Sequence, residues 1–152
     1  MARLEDVPDK TRMALERLEC PRFETAPFVS GPPLADRRVA LISTAGLGTS
    51  DQPLWRASDP GYRAIPHDRP AADVLMSHVS LGYDRTGFQR DLNATLPRDR
   101  LAELAADGEI GSAASTHYSF MGATDPLAMV SVAEVARALK ADRVDSVVLL
   151  PV

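Results

Sequence analysis

The sequence predicts an α/β domain built on a mostly parallel sheet, and three observations carry that prediction. The last stretch, Val144-Asp-Ser-Val-Val-Leu-Leu-Pro-Val152, contains the unbroken apolar run Val147–Leu150, which reads as a strand buried on both faces. Ahead of it, Val132, Val135, Ala136 and Leu139 fall at i, i+3, i+4 and i+7, the apolar stripe of a helix. Near position 40 a second short apolar run, Arg38-Val-Ala-Leu-Ile-Ser-Thr44, is bounded by charge before and glycine soon after, as strands are. Strands alternating with helices imply right-handed crossovers with helices packed on the sheet. The expected architecture is therefore Rossmann-like, and incomplete on its carboxyl-terminal side because Val144–Val152 is the last element.

The elements follow in order. Asp9 to Glu19 reads as a short helix with Asp9 as cap and Met13, Ala14, Leu15 and Leu18 on one side, ended by Cys20-Pro21. Pro27, Pro32 and Pro33 then carry an extended arm to Arg37. Residues 1–37 thus form a helix and proline-rich arm, and residues 38–152 the α/β domain. Ala45 to Ala72 holds Gly46, Gly48, Pro53, Pro60, Pro66 and Pro70 without periodicity. A connection of that length is a functional loop or disordered, and Trp55 and Tyr62 argue that it packs as a lid or wall. Asp73 to Val79 reads as the second strand. Leu92 to Pro97 leads into a helix from Arg98 to Asp107, stopped by Gly108. A third, shorter strand lies between Ile110 and Phe120. Ser131-Val-Ala-Glu134 has the form of a capping box opening the next helix.

The totals exclude several classes of function. A chain of 152 residues with 45% hydrophobic and 25% charged residues has the balance of one ordinary globular domain. A net charge of −4 offers no basic stripe for nucleic acid. No apolar run approaches the roughly 18 residues that span a bilayer, and the acidic residues near the amino terminus do not form a signal peptide. The expectation is a cytoplasmic protein that binds neither nucleic acid nor membrane. The single cysteine, Cys20, excludes an internal disulfide framework. It sits at a predicted helix end, where the helix dipole raises a thiol pKa, so it is not an activated nucleophile.

The candidate site residues gather at predicted strand ends, where open α/β sheets bind ligands. Ala45-Gly-Leu-Gly-Thr-Ser-Asp51 follows a strand, but Asp51 stands where a dinucleotide fingerprint needs its third glycine, and Pro53 argues against a phosphate-binding helix. The stretch reads as a tight polar turn. Ser77-His78 ends the second strand, and Tyr83-Asp-Arg-Thr-Gly87 follows; His117-Tyr-Ser-Phe-Met-Gly122 ends the third. A histidine at such a place donates a proton, orients a substrate or binds metal; the alternative is an imidazole bonded to loop backbone. His78 and His117 are the catalytic candidates, and Asp84, Arg85 and Ser119 the substrate-binding ones. Arg85 suits a carboxylate fork, or else an ion pair with Asp84 or Asp91. A metal would need a third ligand from Asp84, Asp91 or His67, and no H-x-H or H-E-x-x-H spacing exists. No metal or cofactor ligand set is assigned, and no nucleophile is evident.

From Arg38 to Val152 the chain resembles the family of glycine/sarcosine/betaine reductase component B and D-proline reductase selenoproteins. The likeness rests on Val39-Ala-Leu-Ile-Ser-Thr-Ala-Gly46, Asp84-Arg-Thr-Gly-Phe88, Asp91-Leu-Asn93, Asp99-Arg-Leu-Ala-Glu-Leu104, Gly108-Glu-Ile-Gly111, His117-Tyr-Ser-Phe-Met-Gly122 and Val144–Val152, all in one order. The resemblance implies an oxidoreductase for reductive cleavage of a carbon–nitrogen bond in an amino acid or related amine, with a disulfide or selenosulfide as redox partner. It implies a selenocysteine or cysteine directly after Val152, at the amino end of a following helix, and a pyruvoyl group on a partner subunit. Thiol redox proteins and an oligomeric assembly are further implied partners. The expectation follows that a UGA codon succeeds codon 152, and that the 152 residues alone are catalytically incompetent, lack sheet partners at one edge and tend to aggregate. Two other readings stand beside this one: a non-catalytic subunit that binds a partner chain, and a metal-dependent lyase or hydrolase using the two histidines.

Overall fold

A computed structural model describes residues 3–26, 28–80 and 82–152; Pro27 of the predicted arm lies outside them. Five strands form the main sheet: β1 (Arg38–Ser43), β3 (Arg63–Pro66), β5 (Ser112–Ala113), β6 (Thr116–Ser119) and β7 (Ser146–Leu150). Strands β5, β6 and β7 all run parallel to β1, while β3 runs antiparallel to β6. A separate antiparallel pair joins β2 (Leu47–Thr49) to β4 (Val74–Met76). Helix α1 (Asp9–Glu16) lies in the amino-terminal arm, α2 (Thr86–Arg90) and α3 (Arg98–Ala106) follow β4, and α4 (Val132–Ala141) precedes β7. The protein is α/β with a mostly parallel sheet, as its alternating pattern predicts.

β1 is the axis because it is buried and paired along both edges. Val39, Leu41 and Ser43 present their backbone to β5 and β6: Val39 O accepts from Ala114 N–H, and Ser43 O from Phe120 N–H. On the other edge Arg38 O accepts from Asp145 N–H, and Thr44 N–H donates to Leu150 O. One face of the sheet, with Val39 and Leu41, packs on Leu92, Leu96, Leu101 and Ile110 around α3. The other, with Tyr118 and Phe120, packs on Val135 of α4 and on half-buried Ile42, Tyr62, Ala64 and Leu139. Burying a leucine such as Leu96 stabilises by roughly 2–3 kcal/mol relative to exposure, so helices on both faces fix the layers.

Several elements differ from expectation for identifiable reasons. The run 147–150 is a strand, but an edge strand: Val147 is 38% exposed, Val148 43% and Leu149 69%, because β1 is its only strand partner among the described residues. Residues 73–79 give only the three-residue β4, outside the main sheet. The loop 45–72 packs down as a wall and contributes β2 and β3. Trp55 is 6% exposed, donates from Nε1 to Leu47 O at 2.8 Å, and carries the Arg63 guanidinium 4.1 Å above its ring. Ser131 does not cap α4 through its side chain; its hydroxyl donates to Pro60 O at 2.7 Å, tying the helix start to that wall. Helix α1 buries none of its residues.

The β1–β6 ladder is interrupted. β1 advances three residues from Val39 to Ile42 while its partner advances five, from Ala113 to Tyr118. The two extra residues make a bulge. The Leu41 N–H that would otherwise be left unpaired donates to Nδ1 of the His117 imidazole at 3.2 Å. Asp142, at the end of α4, holds the bulge by accepting from Ser115 N–H and Oγ while it pairs with Arg38 at 2.7 Å.

Candidate functional site

The carboxyl ends of β1, β6 and β7 converge, and two glycines let them. Gly46 has φ +64°, a left-handed conformation that glycine adopts at no steric cost. A Cβ there would also lie 2.8 Å from Met121 Cε and 3.1 Å from His78 Cα. At Gly122 a Cβ would lie 2.9 Å from Thr44 O and 3.0 Å from Val152 O. Thr44 completes the junction: Val152 N–H donates to its hydroxyl oxygen at 2.8 Å, and the hydroxyl lies 3.3 Å from Val152 O. The chain leaving β7 is thus clamped against the ends of β1 and β6.

His78 stands beside this junction, since Ser77 N–H donates to Gly46 O. It is 6% exposed. Its Nδ1 accepts from Ser80 N–H at 3.1 Å, which places the proton of the neutral ring on Nε2. That Nε2–H is buried with no partner among the described residues, a cost of about 1–3 kcal/mol that folding alone does not repay. Burial, and then the neighbouring Arg85 charge, hold its pKa below the usual histidine value. The ring is a neutral donor in search of an acceptor.

The loop after His78 holds that ring in place. Arg85 donates from Nη2 to His78 O at 2.6 Å and Ser80 O at 3.0 Å, with a longer contact from Nη1 to Tyr83 O. Its fork is therefore engaged by loop carbonyls rather than presented outward. Asp84 accepts from Thr86 N–H and Oγ1 at the start of α2, and these bonds lower its pKa. Ser119 is fully buried, accepts from Leu47 N–H at 2.9 Å and fastens β2 to β6.

His117 is also fully buried, and it serves a different neighbourhood. Its Nε2 lies 2.9 Å from Nδ1 of His67, which follows β3 at the amino end of β6. Burial first, then His67 and Arg98, lower its pKa to about 4 against an opposing pull from Asp142. His78 and His117 share no hydrogen-bond partner among the described residues. Because His117 Nδ1 accepts from Leu41, the single proton of the neutral ring sits on Nε2, between the two imidazoles. Sequence reasoning named His67 only as a third metal ligand and missed Thr44 entirely. The signal for Thr44 was its place at the end of the strand that pairs with β7.

This is an α/β protein whose mostly parallel sheet ends in the clamped strand β7, and the chain leaving β4 packs the backbone of a buried histidine donor, His78, against Gly46 just beyond β1. Residues 2–151 match the family described as glycine/sarcosine/betaine reductase selenoprotein B, and the chain belongs to that family. It is similar to the D-proline reductase subunit gamma of Acetoanaerobium sticklandii, with 35% identity over 120 residues, 76% of this chain and 49% of that protein. The chain therefore spans about half the length of the curated relative it matches. No solved structure matches it. Among the described residues no helix is long and apolar enough to cross a membrane.

Proposed function

We propose that this chain is the scaffold portion of a reductase that cleaves a carbon–nitrogen bond in an amino acid or related amine. In this reading a selenocysteine or cysteine stands just beyond Val152. Two observations support it: Val152 is clamped at Thr44 and Gly122, and the buried His78 donor, without a partner among the described residues, follows a backbone packed against Gly46 of the same chain reversal. A chalcogen anion at that point would supply the nucleophile; cleavage of the substrate C–N bond would take up the two electrons released as it joins a second thiol of the assembly, and thiol proteins would then reduce the resulting selenosulfide or disulfide. His78 Nε2–H would donate to that anion or to the substrate carboxylate, a bond of the stronger, charge-assisted kind. Arg85 and Asp84 hold the loop that aims the ring, Ser119 anchors the strand beside it, and His117 supports β1 from within. In this reading the substrate-binding roles expected of Arg85, Asp84 and Ser119, and the catalytic role expected of His117, become positioning roles.

The relative's name as a subunit supports partner chains, and one bearing a pyruvoyl group is proposed to hold the amine substrate. The open edge of β7, with Val147, Val148 and Leu149 exposed, suits pairing with a further strand of the native assembly. A cytoplasmic location fits thiol-dependent turnover.

The test is turnover by the native assembly purified from its own cells and supplied with a dithiol. D-Proline, glycine, sarcosine and betaine would be offered in turn, and the C–N cleavage product followed. Dithiol-dependent cleavage of one of them, lost in His78→Phe, supports the reading. Binding of a partner chain without turnover of any of them favours the non-catalytic subunit instead. The metal-dependent alternative has no observation in its favour, since the two histidines point into separate networks.

A further inference from the structure

The His67–His117 pair is not used by the proposed reaction, and its proton arrangement is fixed by geometry. Leu41 N–H donates into His117 Nδ1, so that nitrogen carries no proton. The neutral ring must then carry it on Nε2, 2.9 Å from His67 Nδ1. His67 Nδ1 is therefore an acceptor, and its own proton lies on Nε2, facing away from the pair. The relay runs one way, from a backbone amide of the central strand through two imidazoles to the half-buried His67 ring.

We propose that this relay is an acid-operated latch that holds the turn after β3 onto the bulged β6 strand and closes the gap in the β1 ladder. Adding a proton to His67 puts two N–H groups face to face across the pair. Moving one on to His117 Nδ1 only transfers the conflict to Leu41. Either way one buried hydrogen bond is lost, so acid opens the latch at its outer end first. His67 is otherwise tethered there by its own N–H to Ser115 O.

The charges around the pair come from each element packed on it. Arg98 at the start of α3 is 6% exposed, with Nη1 unpartnered among the described residues, and its charge disfavours protonation of both rings. Arg38 of β1 acts likewise on His67. Asp68 beside His67 and Asp99 of α3 favour the charged form of His67, and Asp142 that of His117. None of these carboxylates bonds to either imidazole, so none rescues a protonated pair.

Nitrogen-15 NMR of histidine-labelled protein tests the latch directly. At pH 7 both rings should show an unprotonated Nδ1 and a protonated Nε2, and the Leu41 amide should resist exchange. As pH falls below about 6.5, the His67 ring should change first, and the His117 ring and the Leu41 amide should follow as pH nears the His117 value of about 4. His67→Gln keeps an acceptor for His117 Nε2–H but does not titrate. It should fold at pH 7, with the acid uptake on unfolding reduced by about one proton relative to wild type. A proton on His117 Nδ1 at pH 7, or an unchanged acid profile in His67→Gln, would overturn the proposal.

Discussion

Thr44 grips Val152 by its backbone: the Val152 N–H lies 2.8 Å from the threonine hydroxyl and the Val152 carbonyl 3.3 Å from it. The two residues are far apart in sequence, and the contact fixes where β7 ends relative to β1. A hydroxyl on a β-branched residue suits the task, because its rotamer is stiff.

Thr44→Val keeps the shape and removes the bonds. It should cost about 1 kcal/mol and speed amide exchange at Val152 while the core amides stay protected. Equal protection at Val152 would show that the clamp does not hold in solution.

Gly122→Ala tests the same junction sterically. A methyl group must displace the carbonyls of Thr44 or Val152, and a loss of about 1–3 kcal/mol is expected. A denaturant melt of wild type and variant gives the value, and an unchanged midpoint would mean the strand ends are not packed this closely.

Arg85→Lys separates a loop brace from a substrate anchor. A lysine cannot span the carbonyls of His78 and Ser80 as the guanidinium does, so about 2 kcal/mol of stability should be lost and proteolysis within residues 78–86 should quicken. Unchanged stability combined with a raised KM in the native assembly would instead make Arg85 a substrate contact.

His78→Phe should leave stability within about 1 kcal/mol of wild type. The Ser80 bond is lost, but so is an unpaired buried donor. Loss of turnover in the native assembly with the fold intact is the expected outcome, and a collapse of stability would make His78 a structural residue.

Acid should destabilise the domain before its carboxylates titrate. His67, His78 and His117 all have folded pKa values below the ordinary value, each chiefly through burial. The unfolded chain therefore binds more protons as pH falls below about 6.5, and stability present above that pH is progressively lost, the His117 share on the way to about 4. Urea melts at pH 7, 6 and 5 should show a falling midpoint; a flat midpoint contradicts the burial of these rings.

Much of this fold was legible because its signals are local. The apolar run 38–44, the stripe on α4 and Gly108 at the end of α3 each follow from periodicity or turn chemistry. What was not legible depends on long-range register. Nothing in the sequence shows that β6 carries two extra residues against β1, and without that bulge His117 looks like a strand-end ligand rather than a rung of the sheet. The burial of residues 147–150 was overestimated for the related reason that a strand's outer neighbour is not written in its own residues. At the site, His78 was visible from its position after an apolar run. Thr44 was not, because a threonine ending a strand is unremarkable until its partner is known.

The most direct measurement of the central claim is mass spectrometry of the native polypeptide after reduction and alkylation, read on the tryptic peptide that begins at Val144. The account predicts that this peptide continues past Val152 into an alkylated selenocysteine or cysteine, or that a companion chain bearing one is bound at the β7 edge. A native peptide that ends at Val152, from an assembly holding no such residue beside Thr44 and His78, would contradict it.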